Sequence, residues 1–290
     1  MRRRFKICAV ACVTVAFSVL VCFAQDLRVP ASVTAGDDAS LSTSGSGKAT
    51  FYLLGPGVSI KTDATLGEEI RLQGRDLRNA GEYLALLCSG TCNSATFFVT
   101  SAKPFRLTFL VHPSRVPVAR SDAVSGVALP FDQFHNLVLA PATIDFQLAV
   151  ANYSLFSRAA RTQDGVAWFR TASGKSAGAL QVSASLDAIS VKRAVQQVAS
   201  DPCQLRISGQ RGPAGILVQT DPVHDCNGNI VSDGTIVTFS ATEGDEKSTV
   251  DAPIRQGIAR AQIKTAPGMT VISAASGIVL GNELRIGAKQ

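Results

Sequence analysis

The chain has 290 residues, 46% of them hydrophobic and 17% charged, with a formal net charge of +6. That balance excludes a disordered chain, which would be short of apolar residues and rich in charge. Four of the 28 basic residues and none of the 22 acidic ones lie in residues 1–24. The rest of the chain therefore carries +2 and no basic cluster, which argues against a nucleic-acid partner.

The first segment reads as an export signal. Arg2, Arg3, Arg4 and Lys6 form a positive start, Ile7 to Phe23 is an uncharged apolar run, and Cys22-Phe23-Ala24 ends in a small residue before Gln25. This order predicts a signal peptide over residues 1–24. The competing reading is an uncleaved anchor, because the run is near the lower limit of about 17 residues for a span. Val21 is bulky where a lipid-anchored Cys22 would need a small neighbour. No later apolar stretch reaches spanning length, so no stable membrane span is expected once the signal is cleaved. The expected location is secreted, periplasmic or cell surface.

Cysteine usage fits that compartment. Of seven cysteines, Cys8, Cys12 and Cys22 belong to the leader, leaving Cys88, Cys92, Cys203 and Cys226. An even number in an oxidising compartment points to two disulfides, with three connectivities open. A zinc reading of Cys88 and Cys92 fails, because no histidine lies near them and export disfavours thiolate ligands.

After the leader, short runs rich in Val, Ile, Thr and Phe alternate with Gly, Pro, Asn, Asp and Ser clusters at about 8–12-residue intervals. This predicts an all-β chain of tandem immunoglobulin-like β-sandwiches, each of about 80–100 residues. The first module covers residues 25–102, with strands over Thr50 to Leu54, Glu69 to Gln73, Tyr83 to Cys88 and Ala95 to Thr100. Gly81-Glu82-Tyr83 entering a strand has the form of a tyrosine corner, in which the phenol ties the preceding turn to the backbone. Cys88 and Cys92 flank the turn-like Ser89-Gly90-Thr91, so a local hairpin disulfide is the simple reading; so short a loop gains little chain entropy.

The remaining chain repeats itself. Asp132-Gln133-Phe134-His135-Asn136-Leu137-Val138 aligns with Asp225-Cys226-Asn227-Gly228-Asn229-Ile230-Val231, and Ala142-Thr143-Ile144-Asp145-Phe146 with Thr235-Ile236-Val237-Thr238-Phe239. Later, Asp164-Gly165-Val166-Ala167 matches Gln256-Gly257-Ile258-Ala259 after a one-residue slip. The offset of roughly 93 residues is one sandwich per repeat. It predicts modules over residues 103–199 and 200–290. Ser190 to Ala199 can be drawn as a helix, but it falls where a last strand belongs.

These residues carry a family resemblance. Asp225, Gly228, Asn229, Val231, Val237, Phe239 and Gly257-Ile258-Ala259, with Ile272-Ser273-Ala274-Ala275 near the end, resemble the bacterial Ig-like (group 1) domain of intimins and invasins. The match is best in the last module; the middle one is a degenerate copy, with His135 where Gly228 stands. In physical terms Asn227, Gly228 and Asn229 tolerate positive φ between strands, and Asp225 can cap the turn. Ile230, Val237 and Phe239 are then expected to line the core. Cys203 at the start of one strand and Cys226 at the end of its antiparallel neighbour come together, which favours a Cys203–Cys226 bridge.

His112, His135 and His224 stand in separate contexts and make neither a metal pair nor a catalytic triad. Gly45-Ser46-Gly47-Lys48 resembles the end of a phosphate loop but lacks the upstream glycine, and Ala49 replaces the required Ser or Thr. Asp225-x-Asn227-x-Asn229 resembles the opening of a calcium loop, but Ile230 stands where glycine belongs. No catalytic residue, cofactor or metal is therefore expected. Trp168, the single tryptophan, sits in Val166-Ala167-Trp168-Phe169. Alternation leaves it either outside, as a platform for a sugar ring, or inside as core, the commoner fate of a lone aromatic. Asn152-Tyr153-Ser154 is a glycosylation sequon that matters only if the host modifies exported chains.

Adhesion is what the resemblance implies, although the outer-membrane barrel, lectin-like tip and wall-sorting signal of such adhesins are not recognised in this sequence. The reading is a non-catalytic exported binding or scaffold protein whose partner is a protein or a surface polysaccharide. The alternative is a carbohydrate-binding or accessory module of a surface enzyme or secretion system, with Trp168 as its platform.

Overall fold

The computed structural model describes residues 26–150, 153–264 and 268–287. The expected leader and Asn152 of the sequon lie outside the described residues. Strands and turns make up nearly all of the rest, with one 3-10 turn at Gly74–Asp76. The fold is all-β, as the spacing of the apolar runs predicts. Two compact units divide the chain, Met1–Thr100 and Ser101–Gln290.

The first unit contains β1 (Leu27–Arg28), β2 (Ser32–Thr34), β3 (Ala39–Thr43), β4 (Lys48–Gly55), β5 (Val58–Thr65), β6 (Glu69–Leu72), β7 (Gly81–Ser89) and β8 (Thr91–Thr100). Three strands form one sheet in the order β1-β3-β6, and five form another in the order β2-β8-β7-β4-β5. In β7 the sequence Gly-Glu-Tyr-Leu-Ala-Leu-Leu alternates strictly, so Tyr83, Ala85 and Leu87 are buried and their neighbours less so. Period-two alternation puts one face of the strand in the core and the other towards water. Phe51 and Leu53 of β4 and Phe97 of β8 complete this buried layer, with Leu41 of β3 also fully buried.

The second unit opens with β9 (Arg106–His112), β10 (Arg115–Pro117), β11 (Val124–Phe131), β12 (Thr143–Val150), β13 (Tyr153–Arg161), β14 (Ala167–Thr171), β15 (Gly178–Leu186) and β16 (Ile189–Val198). They form sheets β14-β11-β9 and β10-β16-β15-β12-β13. The unit closes with β17 (Ile207–Gly212), β18 (Gly215–Thr220), β19 (Ile236–Glu243), β20 (Glu246–Pro253), β21 (Arg260–Ile263), β22 (Thr270–Ser276), β23 (Val279–Leu280) and β24 (Leu284–Ile286). Here the sheets are β17-β18-β21 and β20-β19-β22-β23, with β24 also pairing β22. Residues 190–198, for which a helix could be drawn, lie in β16.

Two separate apolar cores lie within this unit. One is built around Phe109, Ile144, Phe146 and Phe169, the other around Val218, Val237, Phe239 and Ile272. Phe146 and Phe169 pack with ring centroids 4.8 Å apart and planes tilted by 51°, and Gly126 of β11 lies against Phe169 and Phe109. A Cβ on Gly126 would meet Phe109 Cε2 at 2.9 Å, so this strand position needs the missing side chain. Each fully buried Phe or Leu contributes roughly 1.5–3 kcal/mol relative to exposure.

One expectation fails here. Ile230 is 59% exposed, and the neighbouring Val231 is buried instead. The turn sets the register: Asp225 N–H donates to the Asn229 carbonyl, Val231 N–H donates to the Val223 carbonyl, and His224 bridges Ile230. Val223 and Val231 thus face the core as a pair while His224 and Ile230 face out, a slip of one residue that inverts the faces. Trp168 lies outside, one of the two positions that alternation leaves open to it. Ala167 and Phe169 occupy the inward positions of β14, and Phe169 fills the aromatic core, so Trp168 must project to the other face.

Candidate functional site

The repeated Asp-Asn turn builds the same local structure twice. In the first copy Asp132 Oδ1 accepts from the Phe134 and Asn136 backbone N–H groups at 2.9 and 2.8 Å, and Asn136 Nδ2 donates to Oδ2 at 2.8 Å. In the second, Asp225 Oδ1 accepts from Asn227 and Asn229 N–H, both at 2.9 Å. Each Oδ2 also takes a donor from the segment preceding its core: Ala102 N–H at 2.9 Å for Asp132, Ser200 N–H at 3.0 Å for Asp225. His135 and Gly228 hold equivalent left-handed positions, with φ of 72° and 83°. Histidine accepts that conformation at a cost that glycine avoids.

Burial alone would push both carboxyls up. For Asp132 the Asn136 side chain and the Ala102, Asn136 and Phe134 N–H groups outweigh it and hold the pKa below the usual 3.8. For Asp225 the donors from Asn229, Ser200 and Asn227 do the same. Hydrogen bonds to the ionised form favour it.

The second copy does more. Asn229 Nδ2 donates to the Lys175 carbonyl at 2.8 Å, and its Oδ1 accepts from Ala177 N–H at 2.7 Å. Asn229 belongs to the turn of the second core, while Lys175 and Ala177 lie between β14 and β15 of the first. The same segment is held from behind by Gln197, fully buried, which accepts from Gly174 N–H and donates to the Ser176 carbonyl. Ser173 Oγ anchors its start on the Pro117 carbonyl at 2.8 Å. A polar clamp therefore joins the two cores. Residues 54 and 52 positions apart make it, so nothing in the local sequence pattern announces it.

The cysteines lie at bonding distance in two pairs. Cys88 and Cys92 stand opposite one another on β7 and β8 with sulfurs 2.03 Å apart, and the Cys203 and Cys226 sulfurs are 2.01 Å apart. The latter pair sits outside the named strands, beside the Pro202–Asp225 bridge and the Cys203 N–H to His224 carbonyl bond. Tyr83 donates its hydroxyl to the Asn79 carbonyl at 3.0 Å and packs on Phe97 with centroids 5.5 Å apart. That is the geometry of a tyrosine corner.

Around the other residues the surroundings are plain. Gly45 and Gly47, both at positive φ, make the turn into β4. His112 ends β9, and His224 Nδ1 lies 2.9 Å from the Pro222 carbonyl. Among the described residues no group of three or more His, Cys, Asp or Glu is placed to hold a metal. No helix among them is long and apolar enough to cross a membrane, a statement that leaves β-barrel spans aside. The open recess between β4, β5 and β6, about 770 Å³, is lined by Lys48, Asp63, Glu69 and Arg71.

The outward face of the β14-β11-β9 sheet is different in kind. Trp168 stands opposite Val127, and Val127 opposite Leu110, so three apolar side chains cross the sheet in one row. Trp168 is 63% exposed and Leu110 61%. The choice left open for the tryptophan is thus resolved by register: it is a surface residue with apolar company.

No family model and no curated protein matches the sequence. Solved structures do match. The Escherichia coli adhesin FdeC aligns over 90% of this chain and 96% of its own, with a TM-score of 0.61 at 13% identity. The chain has an Ig-like β-sandwich fold. Invasin, described as a bacterial integrin-binding protein, gives a TM-score of 0.50 at 11% identity over 91% of this chain and 60% of its own. At such identities the likeness is one of fold. The Ig-like sandwiches of this chain bear the disulfides, the clamp and the Trp168 row as their own features.

Proposed function

We propose that this chain is an exported, non-catalytic binding protein, acting outside the cytoplasm as tandem Ig-like modules over residues 25–102, 103–199 and 200–290. The observation that carries the reading is the Trp168–Val127–Leu110 row, a patch of exposed apolar surface for which a plain spacer has no use. Two cysteine pairs at bonding distance support an oxidising compartment, and so does the leader expected over residues 1–24. The Asn229 clamp supports a stiff joint, which holds a binding face at a fixed angle to its support. Adhesion is the activity named for FdeC and invasin is named as integrin-binding; adhesion at a surface is the reading adopted here for this chain.

A carbohydrate-binding role is the second reading, favoured by one observation, the exposure of the indole, since an exposed aromatic ring can stack on the face of a pyranose. The compartment is tested by fractionating the producing cells. The expected result is recovery in the surface, secreted or periplasmic fraction, with the chain open to added protease once the cell envelope is breached. Recovery in the cytoplasm would overturn the proposal.

A further inference from the structure

We infer that the outward face of the β14-β11-β9 sheet docks a protein partner presenting apolar side chains set among carboxylates. The inference rests on the binding reading above and names the partner's chemistry. Opposed residues on neighbouring strands have Cβ atoms about 5 Å apart, so the Trp168–Val127–Leu110 row is a continuous strip about 10 Å long. Arg170 follows Trp168 on the same face of β14, and Arg106 stands opposite Phe131 at the far end, its guanidinium 5.8 Å from that ring. The strip is therefore flanked by two cations at opposite corners.

Nothing on the face balances them. The strands β9, β11 and β14 contain no Asp or Glu. The acidic residues nearest in sequence, Asp122 and Asp164, lie in turns outside the strands, and Asp132 is buried with its carboxylate bound to N–H donors. A net positive potential over an apolar strip selects a partner of opposite sign, and arginine pairs with carboxylates through a bidentate fork. Tryptophan and arginine are also the side chains most enriched where protein interfaces concentrate their energy.

A polysaccharide fits less well. Recognition of sugar hydroxyls uses fixed donors and acceptors, and the outward positions of these strands hold no Asn, Gln, Asp or Glu; besides the two arginines, their polar side chains are Thr108, His112 and Ser125. A row of aliphatic side chains beside the indole supplies area to bury rather than groups to read hydroxyls.

Trp168 is the single tryptophan of the chain, so its emission reports on this face alone. The test titrates the purified mature protein with a synthetic peptide in which Leu and Phe alternate with Glu. A counterpart with Lys for every Glu and sodium alginate serve as the other probes. The expected result is a saturable blue shift with the Glu peptide that weakens with added salt, and no response to the Lys peptide. In the doubly substituted Arg106→Glu, Arg170→Glu protein, checked for an unchanged melting curve, affinity for the Glu peptide falls at least about tenfold. Equal responses to the two peptides would reduce the face to an indiscriminate apolar patch and overturn the inference. Response to alginate without response to the peptide would reassign the face to an anionic polysaccharide, and silence with all three probes would overturn it as well. Failure in any of these ways leaves the compartment measurement standing, because that measurement does not use the face.

Discussion

Asn229 donates its side-chain amide to the Lys175 carbonyl across 2.8 Å, from the turn of one hydrophobic core to a loop of the other. The same amide also reaches Asp225 at 3.0 and 3.1 Å, so the clamp and the turn share one side chain. Joining the cores thus depends on a group that first has to be oriented by its own turn, which makes the joint and the turn cooperative.

Asn229→Ala removes the partner of the Ala177 N–H and the donor to Lys175 together. The expected cost is about 1–3 kcal/mol, the range for leaving such groups without their partner. Urea unfolding measures it, and hydrogen exchange at the Ala177 amide should accelerate even where global stability is little changed. Unchanged protection at Ala177 would show that the clamp does not operate in solution.

Acid should loosen both turns. Asp132 and Asp225 have folded pKa values below the ordinary 3.8, so their contribution to stability is present above that value and is lost as pH falls through the folded pKa. Stability followed by urea midpoint should therefore decline below about pH 4, and Asp132→Asn with Asp225→Asn should flatten that decline while lowering stability at neutral pH. An acid limb identical in parent and variant would remove these carboxylates from the account.

Tyr83→Phe keeps the ring against Phe97 and deletes only the hydroxyl bonded to Asn79. The expected loss is about 0.5–1.5 kcal/mol, the net worth of one hydrogen bond. Thermal unfolding of the paired proteins measures it. A loss several times larger would mean that the corner organises more of the unit than one turn.

Much of this architecture was legible in sequence because strands and turns are local. Alternation located β4, β7 and β8, and the spacing from Asp132 to Asp225 located the repeat, since an Asp that caps its own turn needs only residues two and four positions on. Ile230 faces out, against the sequence expectation, because period two fixes faces only relative to one another; the Asp225–Asn229 turn decides which face is inside. Trp168 posed the same problem, settled by Phe169 taking the core position. The clamp was invisible for another reason: Asn229 looks like a turn residue in sequence, and its contacts with Lys175 and Ala177 exist only once both cores have folded. The charge of the Trp168 face was hidden as well, because Arg106, Phe131 and Arg170 converge from three separate strands.

The central claim is an exported, disulfide-stiffened chain of Ig-like sandwiches. Its most direct test is mass spectrometry of the non-reduced protein recovered from the producing cells. The expected result is an N-terminus at Gln25, with Cys88 linked to Cys92 and Cys203 to Cys226. The latter closes a separation of 23 residues and should contribute roughly 3 kcal/mol by loop entropy. A chain that retains residues 1–24 and carries four free thiols would contradict it.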